Sequence, residues 1–288
     1  MNELLGTIWT GLITDENDTA YFVQKNGVTF RLDKNEDSHT LGDMVEVFGY
    51  SNQKNELAVT TNLPKIVKGT YGFAEVVASR RDLGVFVDIG LPDKEMALSL
   101  DELSEMRQLW PKKGDVLYVT LRTDEKNRLW ATLAEEERIE AMSRPATEEM
   151  KNKNISGKVY RLKVVGSFVL TDDFHLAFIH PSERYIEPRL GEIVNGRVIG
   201  VRPDGMLNIS LKPRAHEVIS DDAQMILTFL HQSKEGKIPF SDKSTPEEIK
   251  EMFAISKGQF KRALGSLMKA KKVKQEGGYT ILLHDEEK

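Results

Sequence analysis

A multidomain, mainly β chain is predicted, with three small five-stranded barrels followed by an α+β unit. Three observations carry this. Between Ile155 and Lys212, five short apolar runs are each closed by turn residues, the pattern of a small all-β barrel. The same plan recurs upstream over residues 4–62 and 63–134, and an internal repeat of this kind governs the whole fold. After Pro213 the apolar period becomes helical, with capping residues ahead of each apolar face.

Composition sets the bounds. The chain has 288 residues, 40% of them hydrophobic, which suits several small domains with buried cores. It contains no Cys. That excludes a disulfide framework, thiol catalysis and any Cys-ligated zinc or iron–sulfur site, and it suits a reducing cytoplasm. Met1-Asn2-Glu3-Leu4-Leu5 lacks the cationic start and long apolar run of a signal peptide. No apolar run approaches the ~20 residues that span a membrane. The net charge of −5 argues against a bulk polyanion binder, yet the charge is uneven. Residues 1–62 carry 4 Lys and Arg against 10 Asp and Glu, whereas residues 155–214 carry 9 against 6. Such asymmetry marks where a polyanion lands.

The most regular stretch is 155–214. Its strand candidates are Val159–Val164, Phe168–Leu170, Leu176–Ile179, Val194–Val201 and Leu207–Leu211, separated by turns such as Asp172-Asp173 and Arg202-Pro203-Asp204-Gly205. Gly166-Ser167-Phe168-Val169, Ile179-His180-Pro181-Ser182-Glu183, Leu190-Gly191-Glu192-Ile193-Val194 and Leu207-Asn208-Ile209-Ser210-Leu211-Lys212 follow in order. Together they resemble the S1 RNA-binding domain. The resemblance implies an OB-type Greek-key barrel that binds single-stranded RNA on the faces of its second and third strands.

In residues 1–62 the strand candidates are Leu5–Ile13, Thr19–Gln24, Val28–Leu32, Met44–Tyr50 and Glu56–Thr61. Asn26-Gly27 is a strong hairpin signal. Leu41-Gly42-Asp43-Met44-Val45 is similar to the S1 pattern, but Ala20-Tyr21-Phe22-Val23 has lost the leading Gly and no His sits where the family has one. This reads as a divergent, acidic S1-like barrel, either in contact with RNA or purely structural. Residues 63–134 follow the pattern more closely, with Leu83-Gly84-Val85-Phe86-Val87-Asp88-Ile89-Gly90 and Lys112-Lys113-Gly114-Asp115-Val116. Asp124 and Arg128 match an Asp…Arg pair beside the family's RNA site. Ser99 stands where the family has His, and Leu83 where it has an aromatic residue, so part of the expected stacking surface is missing.

Residues 135–154, charged and rich in Ala and Met, read as a helical linker interrupted at Pro145. In residues 215–288, Ser220-Asp221-Asp222, Thr245-Pro246-Glu247-Glu248 and Ser256-Lys257-Gly258-Gln259 each precede a helical apolar face. Val273–Gln275, Gly277-Gly278 and Tyr279–Leu283 then form a hairpin. Three helices followed by a hairpin is the winged-helix order. Lys257, Lys261, Arg262, Lys269, Lys271, Lys272 and Lys274 fall between 256 and 275, a stretch without Asp or Glu. They read as a phosphate-contacting surface, with a plain solvated helix face as the competing reading.

Three S1-like barrels followed by a winged helix, in this order, resemble the conserved virulence factor B family. The resemblance implies a cytoplasmic RNA-binding regulator of virulence genes. A binding site for bases needs flat aromatic faces, and one for phosphates needs cations. In the third barrel Tyr160, Phe168 and His180 supply the first, and Lys158, Arg161, Lys163 and Arg202 the second. Phe86, Asp124 and Arg128 are the counterparts in the second. Arg202 stands where the family has an acidic residue, and Met206 where it has Arg. No paired carboxylates lie near His at metal-ligand spacing and no phosphate-binding loop is present, so an enzyme, a metal and a cofactor are not expected. Two other readings compete: a DNA-binding regulator acting through the winged helix with the barrels as scaffold, and a module docking on ribosome or polymerase. The RNA target and the oligomeric state stay open.

Overall fold

The computed structural model describes residues 3–34, 38–213 and 220–283. The chain divides into two compact units, Met1–Leu211 and Lys212–Lys288.

The first unit holds three barrels of one topology. β1 (Ile8–Glu16), β2 (Ala20–Lys25), β3 (Val28–Asp33), β4 (Met44–Ser51) and β5 (Leu57–Thr60) close in the order β1-β2-β3-β5-β4. β6 (Gly72–Arg80), β7 (Gly84–Asp88), β8 (Met96–Ser99), β9 (Val116–Thr123) and β10 (Leu129–Leu133) form the second. After helix α1 (Glu136–Met142), β11 (Asn154–Lys163), β12 (Gly166–Thr171), β13 (Leu176–Ile179), β14 (Ile193–Val201) and β15 (Leu207–Ser210) form the third. Alternation places one set of side chains inside each barrel, such as Val159, Val169, Ala177, Ile179 and Ile209 in the third, and leaves the other set facing out. Asn26 and Gly27 both have positive φ, 52° and 76°, as the tight hairpin between β2 and β3 requires.

One expectation is corrected. β1 begins at Ile8 rather than Leu5, which makes only an isolated bridge to Gly49. The segment between the second and third barrels is interrupted around Pro145. α1 stops at Met142, and a single 3₁₀ turn covers Glu148–Met150. Pro145 cannot donate to a helix ladder, and the backbone around it bonds to the third barrel instead. Arg144 N donates to Phe174 O (2.8 Å), Ala146 N to Gly205 O (2.9 Å) and Asn152 N to Val198 O (2.8 Å). Ala146 and Met150 join that barrel's core, so the segment braces the barrel.

The barrels also bind each other. Tyr50 Oη donates to Asp93 (2.8 Å) across the first seam. Across the second, Arg189 holds Asp115 through Nε (3.0 Å) and Nη2 (2.9 Å), and Val116 N donates to Gly191 O (2.8 Å). Asp115 is buried, and the fork geometry of the guanidinium fixes its orientation as well as its charge.

The second unit contains α2 (Asp221–Gln232), β16 (Lys237–Ile238), α3 (Pro246–Phe253), α4 (Lys257–Lys269), β17 (Val273–Glu276) and β18 (Tyr279–Leu282). Its sheet runs β16-β18-β17, so a short strand absent from the sequence reading joins the hairpin. Ser220 caps α2, and both Thr245 with Glu248 and Ser256 with Gln259 form complete capping boxes. Each such cap contributes about 1 kcal/mol. Ile226, Leu230, Ile249, Phe253, Phe260 and Leu264 fill the core.

Candidate nucleic-acid interface

The outer face of the third barrel is built from β11, β12 and β13. Phe168 pairs directly with Phe178 across β12 and β13. A register shift between Val159 and Arg161 marks a bulge in β11, and Tyr160 lies at it. The rings form a row: Tyr160 to Phe168 at 6.3 Å between centroids, Phe168 to Phe178 at 5.2 Å, and Phe178 to His180 at 6.4 Å. Phe168 is half-buried on this face, outside the barrel core. A cation covers each Phe: Lys163 Nζ lies 4.9 Å from the Phe168 centroid, and the Arg202 guanidinium 4.7 Å from that of Phe178.

The S1-type glycine has a clear physical task here. Gly166 has φ +149°, and a Cβ on it would lie 2.4 Å from Ile179 O and 2.6 Å from the Phe178 ring. Any side chain would push Phe178 off the sheet. His180 caps the 3₁₀ turn Pro181–Glu183: its Nδ1 accepts from Ser182 N at 3.2 Å. His180 therefore does not touch Phe168; Phe178 stands between them. Phe178 went unnoticed in the sequence because it sits inside the short apolar run Leu176–Ile179, where it reads as a strand residue. Its cross-strand place opposite Phe168 was the available signal.

The cations are less free than their count suggests. Lys163 and Arg161 both pair with Glu136 of α1, at 3.0 and 3.5 Å. Arg202 Nε donates to Asn208 Oδ1 (2.9 Å). Lys158, expected beside the aromatic row, instead pairs with Asp172 at 2.7 Å and lies 5.6 Å above Phe73 of the second barrel. Burial pushes the Tyr160 phenol well above the ordinary range, and the nearby Glu136 and Glu140 add to this. Tyr160 thus remains a neutral hydroxyl.

In the second barrel Phe86 lies on β7 with the Arg80 guanidinium 5.1 Å from its centroid. Asp124 and Arg128 form a separate cluster at the β9–β10 turn. Asp124 accepts from Arg128 Nε (2.7 Å), Trp130 Nε1 (3.1 Å) and the backbone N–H groups of Lys126 and Arg128 (2.9 Å each). Burial alone would raise its carboxyl, but these donors outweigh it and bring the pKa down to about 2. The Arg128 guanidinium lies 5.2 Å from the Trp130 centroid, so Trp130 is a second flat ring that the sequence reading left out.

In the second unit α4 buries Phe260, Ala263, Leu264 and Leu267 and exposes Gly258, Lys261, Arg262, Gly265, Met268 and Lys269. Among the described residues no carboxylate pairs with Lys261, Arg262, Lys269 or Lys271, whereas Lys274 pairs with Glu276 at 2.9 Å. Lys257 is half-buried at the start of α4. Lys271, at φ +56°, and the half-buried Lys272 turn the chain into β17.

Among the described residues no group of three or more His, Asp and Glu is placed to hold a metal, and no helix is long and apolar enough to cross a membrane.

Comparison with known proteins agrees with this architecture. Residues 5–62 match the S1 domain family, 71–132 the first S1-like domain of CvfB, 139–213 the second domain of the virulence regulatory factor CvfB, and 224–282 the CvfB-like winged helix domain. The chain is 45% identical over 270 residues to the uncharacterized protein YitL of Bacillus subtilis, covering 93% of this chain and 90% of that one. It is 43% identical over 262 residues to conserved virulence factor B of Staphylococcus epidermidis, covering 89% and 87%. A crystal structure described as a multidomain protein with nucleic acid binding domains, from Streptococcus pneumoniae, is 51% identical with a TM-score of 0.70, covering 98% and 100%. S1-like and winged-helix nucleic-acid-binding domains therefore make up most of the molecule, and the chain belongs to the conserved virulence factor B family.

Proposed function

We propose that this protein is a non-catalytic, cytoplasmic RNA-binding regulator that grips single-stranded RNA on the third barrel. The observation that carries the reading is the row Tyr160, Phe168 and Phe178, with Lys163 and Arg202 over its two Phe rings. Stacked rings accept any base because every base has a π-face, and cations beside them meet the backbone. The open basic face of α4 supports phosphate contacts from the second unit, with Lys261, Arg262 and Lys269 as its members. The names of the relatives and of the matching family support a regulatory role connected with virulence.

That same α4 face favours a second reading, duplex DNA binding through the winged helix. Titrating the protein with a single-stranded RNA and with a mixed-sequence duplex DNA at matched salt separates the two. Tighter RNA binding is expected; equal or tighter DNA binding overturns the RNA reading.

A further inference from the structure

The aromatic row, in which Phe178 is buried and Tyr160 and Phe168 are half-buried, does not end at the third barrel. Phe168 and Leu170 face the same way on β12. Leu170, however, is covered, and lines a crevice with Phe73 and Tyr118 of the second barrel and with Lys158 and Tyr160 of β11. Tyr160 thus belongs to both surfaces: it lines the crevice and lies 6.3 Å from Phe168. On the far side of the crevice the outer face of β6 and β9 carries its own stack. Phe73 and Tyr118 lie 4.8 Å apart, and Tyr118 and Tyr71 lie 5.8 Å apart. Phe73 is 42% exposed, a high value for a ring that would serve only to glue two barrels together. Cations sit over this stack as they do over the first: Lys158 Nζ lies 5.6 Å from the Phe73 centroid and the Arg138 guanidinium 5.3 Å from that of Tyr71. Lys158 is shared with Asp172, which faces the seam from the third barrel; Arg138 is exposed.

We propose that Tyr71, Phe73 and Tyr118 form a second stacking platform for the same RNA strand. The strand would run from Phe168, with the buried Phe178 behind it, past Tyr160, over the seam, and onto β6 and β9. This face is not the one formed by the second and third strands of a barrel, where Phe86 lies; it is formed by the first and fourth. The two platforms belong to one compact unit, and Asp115–Arg189 pins the seam between them, so both are presented together. The track is longer than one barrel face, so its contribution depends on ligand length.

The inference rests on the RNA reading above, and its test keeps the two apart. The full chain is titrated with fluorescently labelled single-stranded RNA of roughly 5 and roughly 15 nucleotides, within the span of site sizes known for such barrels. Phe73→Ala is expected to weaken the longer RNA about 5-fold or more and to leave the shorter one unchanged, since one lost base stack is worth roughly 1–3 kcal/mol. Phe168→Ala is expected to weaken both. If Phe73→Ala changes neither length, or both equally, the platform is inter-barrel packing and the inference falls. If Phe168→Ala changes neither, the RNA reading falls with it. Ultraviolet crosslinking of the longer RNA to the unaltered protein supplies a readout free of folding effects. Crosslinked peptides from both 71–80 and 154–171 are expected; crosslinks confined to 154–171 overturn the platform.

Discussion

The second and third barrels are the same object with different faces. Register aligns them residue by residue: Arg80 pairs with Gly84 as Lys163 pairs with Gly166, and Phe86 pairs with Ala97 as Phe168 pairs with Phe178. Both have a bulge in the first strand, and both put a cation over the Phe of the second. The differences fall on the outer face. The second barrel has Val77, Ala97 and Ser99 where the third has Tyr160, Phe178 and His180. At the turn before the last strand an acid gives way to a base, and Arg128 to Met206: Asp124 collects donors from Arg128 and Trp130, whereas Arg202 donates to Asn208 and packs on Phe178. The backbone of this face is thus duplicated, while the row of rings across the first three strands is present in the third barrel and not at the matching positions of the second.

The comparison breaks first at the glycines if it breaks at all. Gly84 and Gly166 have φ +114° and +149°, and a Cβ on either would lie within 2.4 Å of a backbone oxygen. Gly84→Ala and Gly166→Ala are both expected to cost about 2–3 kcal/mol, the range of overpacking into a rigid site. Thermal unfolding measures this, and similar losses confirm a shared scaffold. A tolerated Gly166→Ala would mean that Phe178 need not lie against the sheet.

The next effect should separate the barrels. Phe168→Ala is expected to weaken RNA binding about 5- to 150-fold, the value of one stacked ring. Phe86→Ala, with no second ring beside it on β8, should change binding by less than about 3-fold, below what one stacked base contributes. Each variant is checked by thermal unfolding, because a true core Phe costs roughly 3–5 kcal/mol when removed. Equal binding losses from the two variants would show that the missing rings of the second barrel do not matter.

A smaller change distinguishes stacking from charge. Lys261→Ala combined with Arg262→Ala is expected to reduce the slope of log affinity against log salt by roughly 1.4, at about 0.7 per phosphate for a single strand. Phe168→Ala should leave that slope unchanged while weakening binding at every salt concentration. A double variant that lowers affinity without touching the slope would remove α4 from the phosphate contacts.

Much of this was legible in the sequence because turns and caps are local. Asn26-Gly27, the two capping boxes and the Gly-x-Phe-Val pieces each depend on neighbours a few residues away, and the fold assembled from them is the fold found. What escaped was set by distant partners. Nothing near Lys158 in the sequence indicates that Phe73 waits above it. Phe178 and Trp130 look like ordinary strand residues until Phe168 and Asp124 are placed beside them. The interruption at Pro145 was legible, but the anchoring of the segment after it was not, because that is fixed by carbonyls of Phe174, Val198 and Gly205.

The finest test concerns the acid at this turn. Asp124 is held at a pKa of about 2, below the usual carboxylate value of about 3.9. A depressed carboxyl stabilises the fold fully above its unfolded pKa, and that contribution is lost as pH falls through the folded value. The affected window therefore runs from about 4 down to about 2. Trp130 Nε1 donates to the same carboxylate, so its indole proton reports on the charge. Its resonance is expected to stay fixed between about pH 5 and pH 3, where an ordinary Asp would titrate. Arg128→Ala removes the guanidinium donor and should bring a titration into that window. Movement of the Trp130 signal near pH 4 in the unaltered protein would show that the donors at this turn do not outweigh burial. The third barrel has Arg202 at this position, donating to Asn208 Oδ1, so it has no carboxylate there for an indole to report on.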